Sequence, residues 1–266
     1  MLRVALAFIR RDLLIWTSYR LAFLWQLATM VGSAVAMYLV GGLVGGRLND
    51  QLSRYGGSYF AYILVGFGFM QYLGAASSAF NDAIRDGQTT GTLEVILTSP
   101  HRLPTILIGS TGSYHLLGIL RLLIVYAIGR WGFGLWSSLN YGAALITTVL
   151  CVVCFASLGL IGGAFTLAFK RGDPVMGVYG LLNAALGGLI IPVQLLPRWL
   201  QPLSVFLPLT HALEAIRLAM NGEPTAAIAP SWIALAIMAA ILVPIGMLLF
   251  RWAINYAKDQ GSLVQY

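Results

Sequence analysis

The sequence predicts an all-α integral membrane protein with six transmembrane helices. Of its 266 residues, 59% are hydrophobic and only 9% are charged, against roughly 25% charged in soluble domains. The mean hydropathy of +0.82 agrees. The apolar runs are continuous and do not alternate, which selects helices over a barrel. At roughly 20 residues per span, the length accommodates about six spans with modest loops. The whole chain, 1–266, reads as one transmembrane domain.

Residues 1–20 read as an amphipathic helix lying in the interface. Arg3, Arg10 and Thr17 recur at a seven-residue spacing, with Arg11 and Ser18 beside them, while Leu2, Leu6, Ile9, Leu13 and Trp16 face away. Such a helix sets a basic stripe toward lipid headgroups; the alternative is a simple extension of the first span. The same arginines interrupt any secretory signal core. Spans are expected at 21–44, 59–80, 105–129, 141–169, 175–196 and 231–252. Trp131, Phe133 and Trp136 suggest an interfacial aromatic belt after the third. The semi-polar stretch 197–230, with Pro197, Pro202, Pro208, Pro224 and Pro230, reads as broken or re-entrant helices. The two halves do not repeat in loop pattern, which counts against an inverted-repeat transporter.

The net charge of +7 is explained by basic residues at the membrane edges. No basic cluster interleaves with aromatics, so no nucleic-acid partner is expected. With the N-terminus inside, the cytoplasmic segments hold Arg3, Arg10, Arg11, Arg20, Arg85, Arg102, Lys170, Arg171, Arg251 and Lys258. The outer segments hold Arg47, Arg54, Arg130, Arg198 and Arg217. Ten against five puts both termini in the cytoplasm, and the 197–230 segment outside.

The polar segment after the second span carries Gly91-Thr92-Leu93-Glu94-Val95-Ile96-Leu97-Thr98-Ser99-Pro100. Gly91 suits an N-cap and Glu94 the N3 position of a short helix. Leu93, Ile96 and Leu97 share one face, and Ser99-Pro100 ends it. Its bland reading is a capped surface turn. After the fifth span, Pro208-Leu209-Thr210-His211 is followed by Glu214 and Arg217, spaced to share a helix face; the bland reading there is an external helix whose charges are solvated or paired locally. Together these runs resemble the permease subunits of ABC-2 type ABC transporters. The Gly-Thr-Leu-Glu…Ser-Pro run resembles that family's cytoplasmic coupling helix, and the Pro-Leu-Thr-His…Arg run its signature after the fifth span. The resemblance covers essentially the whole chain.

The resemblance implies the membrane-spanning subunit of an exporter in a prokaryotic plasma or inner membrane. Its expected partners are two ATP-binding cassette ATPase subunits, a second permease as homodimer or heterodimer, and the lipid bilayer. The expected coupling residues are Gly91, Thr92, Leu93, Glu94, Ile96, Leu97, Ser99 and Pro100. Pro208, His211, Glu214 and Arg217 form the outer signature. No Gly-x-x-x-x-Gly-Lys-Ser/Thr loop occurs in the sequence, so ATP and magnesium are expected on the partner subunit, with no cofactor bound by this chain and no catalytic residue in it. The run Arg85-Asp86-Gly87-Gln88-Thr89-Thr90 departs from relatives with a denser charged run there, which points to a different ATPase surface or an asymmetric pair.

Within the spans, Arg121 is expected to line a cavity or subunit interface, or to snorkel toward the outer edge. His115 is expected in a helix–helix hydrogen bond, and Asn183 on a path or against a neighbour. Cys151 and Cys154 lack further ligand types nearby, which favours packing over a metal site. Gly159 with Gly163, and Gly42 with Gly46, are spaced for close helix approach. An intramembrane lipid-modifying enzyme would need a convergent acid, base or nucleophile set, and a scaffold would not need the proline-broken helices. The aromatic first two spans (Trp25, Tyr38, Phe67, Phe69, Tyr72) suit a hydrophobic or amphipathic cargo, drug-like or lipid, and equally suit lipid-facing packing. A polysaccharide or glycolipid exporter of the same family is the alternative.

Overall fold

The computed structural model describes residues 20–48, 52, 55, 57–89, 91, 103–136, 138–169 and 174–259. The described residues are helical, with no strand among them. The helices are α1 (Arg20–Leu48), α2 (Tyr59–Thr89), α3 (Leu103–Ala127), α4 (Tyr141–Phe169), α5 (Pro174–Leu186), α6 (Gln201–Ser204), α7 (Pro208–Met220) and α8 (Thr225–Asp259). A π-helical turn, Ile128–Gly132, continues α3. Among the described residues, five apolar stretches are long enough to cross a bilayer: Leu24–Leu43, Tyr59–Ile84, Thr111–Gly132, Tyr141–Phe169 and Thr225–Ala257. The expected interfacial helix, 1–20, lies outside the described residues except for Arg20, which opens α1.

Helices α2 and α4 form the centre. α1 and α3 pack on α2, α8 packs on α4, and α7 is wedged against α2, α4 and α8. The α2–α4 seam is close because Gly159 and Gly163 carry no side chain. A Cβ on Gly159 would stand 2.3 Å from the Ala76 carbonyl oxygen, and one on Gly163 would stand 2.7 Å from Phe80 Cβ. Tyr72, Phe69, Phe155 and Leu213 fill the core where α2, α4 and α7 meet. Polar side chains pin helices within the apolar layer, where few alternative partners exist. The Trp232 indole donates to Thr147 Oγ1 at 2.8 Å, and the Cys154 thiol donates to the Leu235 carbonyl at 3.3 Å. Both cysteines are buried packing residues.

Several boundaries differ from the sequence reading. α5 stops at Leu186 instead of running to 196. Its 13 residues span about 20 Å at 1.5 Å per residue, short of the ~30 Å hydrocarbon layer. The chain breaks at Gly187-Gly188, where Gly188 takes φ +74, a conformation that glycine adopts without strain. The last helix starts at Thr225, six residues before the expected Ser231, and passes through Pro230. Near a helix start a proline interrupts few backbone bonds. In α1 the close-approach glycine is Gly41, whose added Cβ would meet Phe60 Cβ at 2.8 Å, whereas Gly42 faces open space. Trp136 turns inward against Tyr126, while Trp131 is 84% exposed.

Candidate functional site

Three connections gather at one end of the bundle. The Asn140 amide N–H donates to the Ala219 carbonyl at 2.9 Å, and Ser138 Oγ to the Asn221 carbonyl at 3.2 Å, which ties the α3–α4 connection to the end of α7. The α1–α2 connection joins through Tyr55, whose hydroxyl donates to the Glu214 carboxylate in a short contact. Gln194 Nε2 donates to the same hydroxyl at 3.4 Å, bringing in the stretch after α5. Burial, and then the Glu214 carboxylate, hold the Tyr55 hydroxyl well above the ordinary tyrosine range, so it stays protonated as the donor.

Arg217 is the centre of this end. It is 5% exposed, so of the two bland alternatives its charge is paired locally and not solvated. Its guanidinium donates to three backbone carbonyls: Gly188 at 2.9 Å, Tyr62 at 3.0 Å and Leu189 at 3.2 Å. Its Cζ sits 3.4 Å from the centroid of the Tyr62 ring, a cation–π contact. The Tyr62 hydroxyl donates to the Gly188 carbonyl at 2.8 Å. A helix-breaking stretch leaves carbonyls without helical partners, and burying them unpaired is costly. Arg217 and Tyr62 satisfy the carbonyls that the break at Gly187-Gly188 exposes. Gly66 makes the room: a Cβ there would lie 2.5 Å from the Leu189 oxygen and 3.2 Å from the guanidinium. A polar cavity of about 150 Å³ lies beside them, lined by Tyr55, Tyr62, Gln194, His211, Glu214 and Arg217.

Pro208 opens α7 in its first turn, where its missing N–H costs nothing. His211 Nε2 lies 2.9 Å from the Val205 carbonyl. The four outer-signature residues thus sit on one helix that closes this end. Of the segment expected to couple, Gly91 alone is described; 92–100 lie outside the described residues. Gly91 has φ +67. That left-handed conformation belongs to the residue that ends a helix, here α2, rather than to an N-cap, which takes extended angles. His115 Nδ1 lies 3.3 Å from the Tyr72 hydroxyl. Asn183 Nδ2 donates to the Tyr179 carbonyl at 2.7 Å, while the Asn183 carbonyl receives the Gly187 N–H at 2.9 Å. Arg121 is half-buried on α3 and lines a gap against α1 and a cavity against α2. These three residues stand on different faces or helices. Sequence reading missed Tyr55, Tyr62 and Gly66; the readable signal was the Gly187-Gly188 pair inside an apolar run just before Pro192.

A family model for ABC-2 type transporters matches residues 4–221. The chain belongs to the ABC-2 type transporter family. The match runs through α7 and includes the Gly91–Pro100 segment. This ABC-2 chain is 25% identical over 214 residues to the inner membrane transport permease YadH of Escherichia coli (strain K12), covering 78% of this chain and 82% of YadH. It is 30% identical over 226 residues to nodulation protein J of Rhizobium leguminosarum bv. trifolii, covering 81% and 80% of the two chains. As an ABC-2 permease it is a membrane transport subunit, and the helical architecture fits that role.

Proposed function

We propose that this chain is the membrane-spanning permease of an ATP-driven exporter, working with two ATPase subunits on separate chains and a second permease. The observation that carries the reading is the family match across 4–221, in a sequence with no phosphate-binding loop. α5 and the bent stretch 187–196, which includes a 3-10 turn at Val193–Leu195, together form the sixth crossing, and Arg217 holds the bend that follows α5. Arg217 is buried, so the outer basic residues of the charge count fall from five to four, against ten inside. This keeps both termini and the Gly91–Pro100 segment in the cytoplasm.

The cargo is a hydrophobic or amphipathic molecule. Support comes from an apolar groove of about 410 Å³ between α1 and α2, lined by Met37, Val40, Ile63, Phe67, Met70 and Ile190. The groove opens on a face that the described residues leave uncovered, where the second permease completes a path. Thr92, Leu93, Glu94, Ile96, Leu97, Ser99 and Pro100 transmit ATPase closure to α2 and α3, which flank them in the chain. Glu94→Ala, or a helix-breaking Val95→Pro, is expected to abolish cargo-stimulated ATP hydrolysis in the reconstituted complex while the permease remains folded. Undiminished stimulation in both variants would remove the coupling role from this segment.

A further inference from the structure

Arg121 stands midway along the apolar stretch Thr111–Gly132, and Asp82 stands near the end of Tyr59–Ile84. α2 and α3 run antiparallel: Gly68 faces Leu122 and Val125, while Gly118 faces Tyr72 and Ala75. Ala75, Ser78 and Asp82 form one stripe of α2, and Tyr114, Leu117 and Arg121 form one stripe of α3, each at spacings of three and four. The two stripes bound a cavity of about 190 Å³. It is separate from the outer end around Arg217 and from the apolar groove between α1 and α2.

Helical side chains lean toward the helix N-terminus. Arg121 therefore leans toward the Leu103 end of α3, and Asp82 toward the Tyr59 end of α2. Because the helices are antiparallel, the two charges approach the cavity from opposite ends. The cation is at mid-layer and the carboxylate is near the membrane edge. Ser78 and Tyr114 add hydroxyls to the lining. An intramembrane charge that lines a cavity is by default a candidate for a ligand or ion site.

We propose that this cavity binds the head of a zwitterionic amphiphile, with its anionic group on Arg121 and its ammonium on Asp82. The order of charges carries the choice. In a zwitterionic phospholipid the phosphate adjoins the glycerol and chains, and the ammonium lies farther out. The cavity repeats that order, cation deep and carboxylate shallow. A purely anionic head would satisfy Arg121 but meet Asp82, which repels it. The occupant is either a resident bilayer lipid or the transported molecule; both present the same chemistry. The inference does not rest on the export reading, because binding is read on the chain without turnover.

The test is native mass spectrometry of the full chain in nanodiscs of equal phosphatidylethanolamine and phosphatidylglycerol. The wild type is expected to retain phosphatidylethanolamine preferentially. Arg121→Gln is expected to lower that retention about tenfold, as loss of a charge-assisted contact implies. Arg121→Lys preserves much of it, which separates binding from folding. Asp82→Asn is expected to shift the preference toward phosphatidylglycerol. With the ATPase added, stimulation by short-chain phosphatidylethanolamine that depends on Arg121 identifies the ligand as cargo, and retention without stimulation identifies a resident lipid. Either result upholds the site. Equal retention in wild type and Arg121→Gln, or an Asp82→Asn variant with unchanged preference, overturns it.

Discussion

Arg217 donates to three carbonyls on two separate stretches of chain while lying over the Tyr62 ring. Removing it takes the donor from the buried Leu189 carbonyl, leaves the Gly188 carbonyl to Tyr62 alone, and opens a void beside Gly66. Arg217→Ala is expected to destabilise the folded protein by about 3 kcal/mol, read as a lower unfolding temperature in detergent. Arg217→Lys is expected to recover only part of the loss, since an ammonium lacks the planar fork that spans separated acceptors. Equal stability of wild type and Arg217→Ala would show that the break at Gly188 is held by other contacts. The outer signature was legible as residue types at helical spacing. Its partners were not, because Tyr62 and Gly66 look like ordinary residues of an apolar span until Arg217 is folded against them.

Between elements, glycine sets how closely helices approach. Gly159 faces the backbone of α2, so even Gly159→Ala forces α2 and α4 apart; about 1–3 kcal/mol of destabilisation follows from such overpacking. Gly42→Ala meets nothing within 4 Å and is expected to be neutral or slightly stabilising through helix propensity. Thermal inactivation of the two variants side by side checks the contrast. The boundaries of α4 were fully legible: the run is uninterrupted from Tyr141 to Phe169, and Asn140 Oδ1 accepts the Ala143 N–H at 3.1 Å as its cap. The end of α5 was not. Hydropathy continues past Leu186, and what stops the helix is a glycine pair after which the Gly188 and Leu189 carbonyls are drawn off by Arg217 and Tyr62, the latter 126 positions away in sequence.

At the scale of the molecule, the described residues form five long apolar helices and a short sixth segment, arranged about a centre built by two of them, α2 and α4. One end is closed by the α7 cluster around Arg217 and Glu214. In our proposal the opposite end receives the ATPase, through the segment that begins at Gly91 where α2 stops. The membrane class and the family were legible from composition and two motifs, because each is a local pattern. The polar cavities were not, since they arise where stripes on different helices meet. The central proposal is that this permease acts only as part of an ATPase complex, and the mass of the assembly extracted gently from the membrane tests it most directly. Gentle extraction of the chain from its native membrane is expected to give, in native mass spectrometry, two permease chains with two ATPase chains, and Val95→Pro is expected to release the ATPases. An assembly that holds no ATPase under these conditions would contradict the proposal.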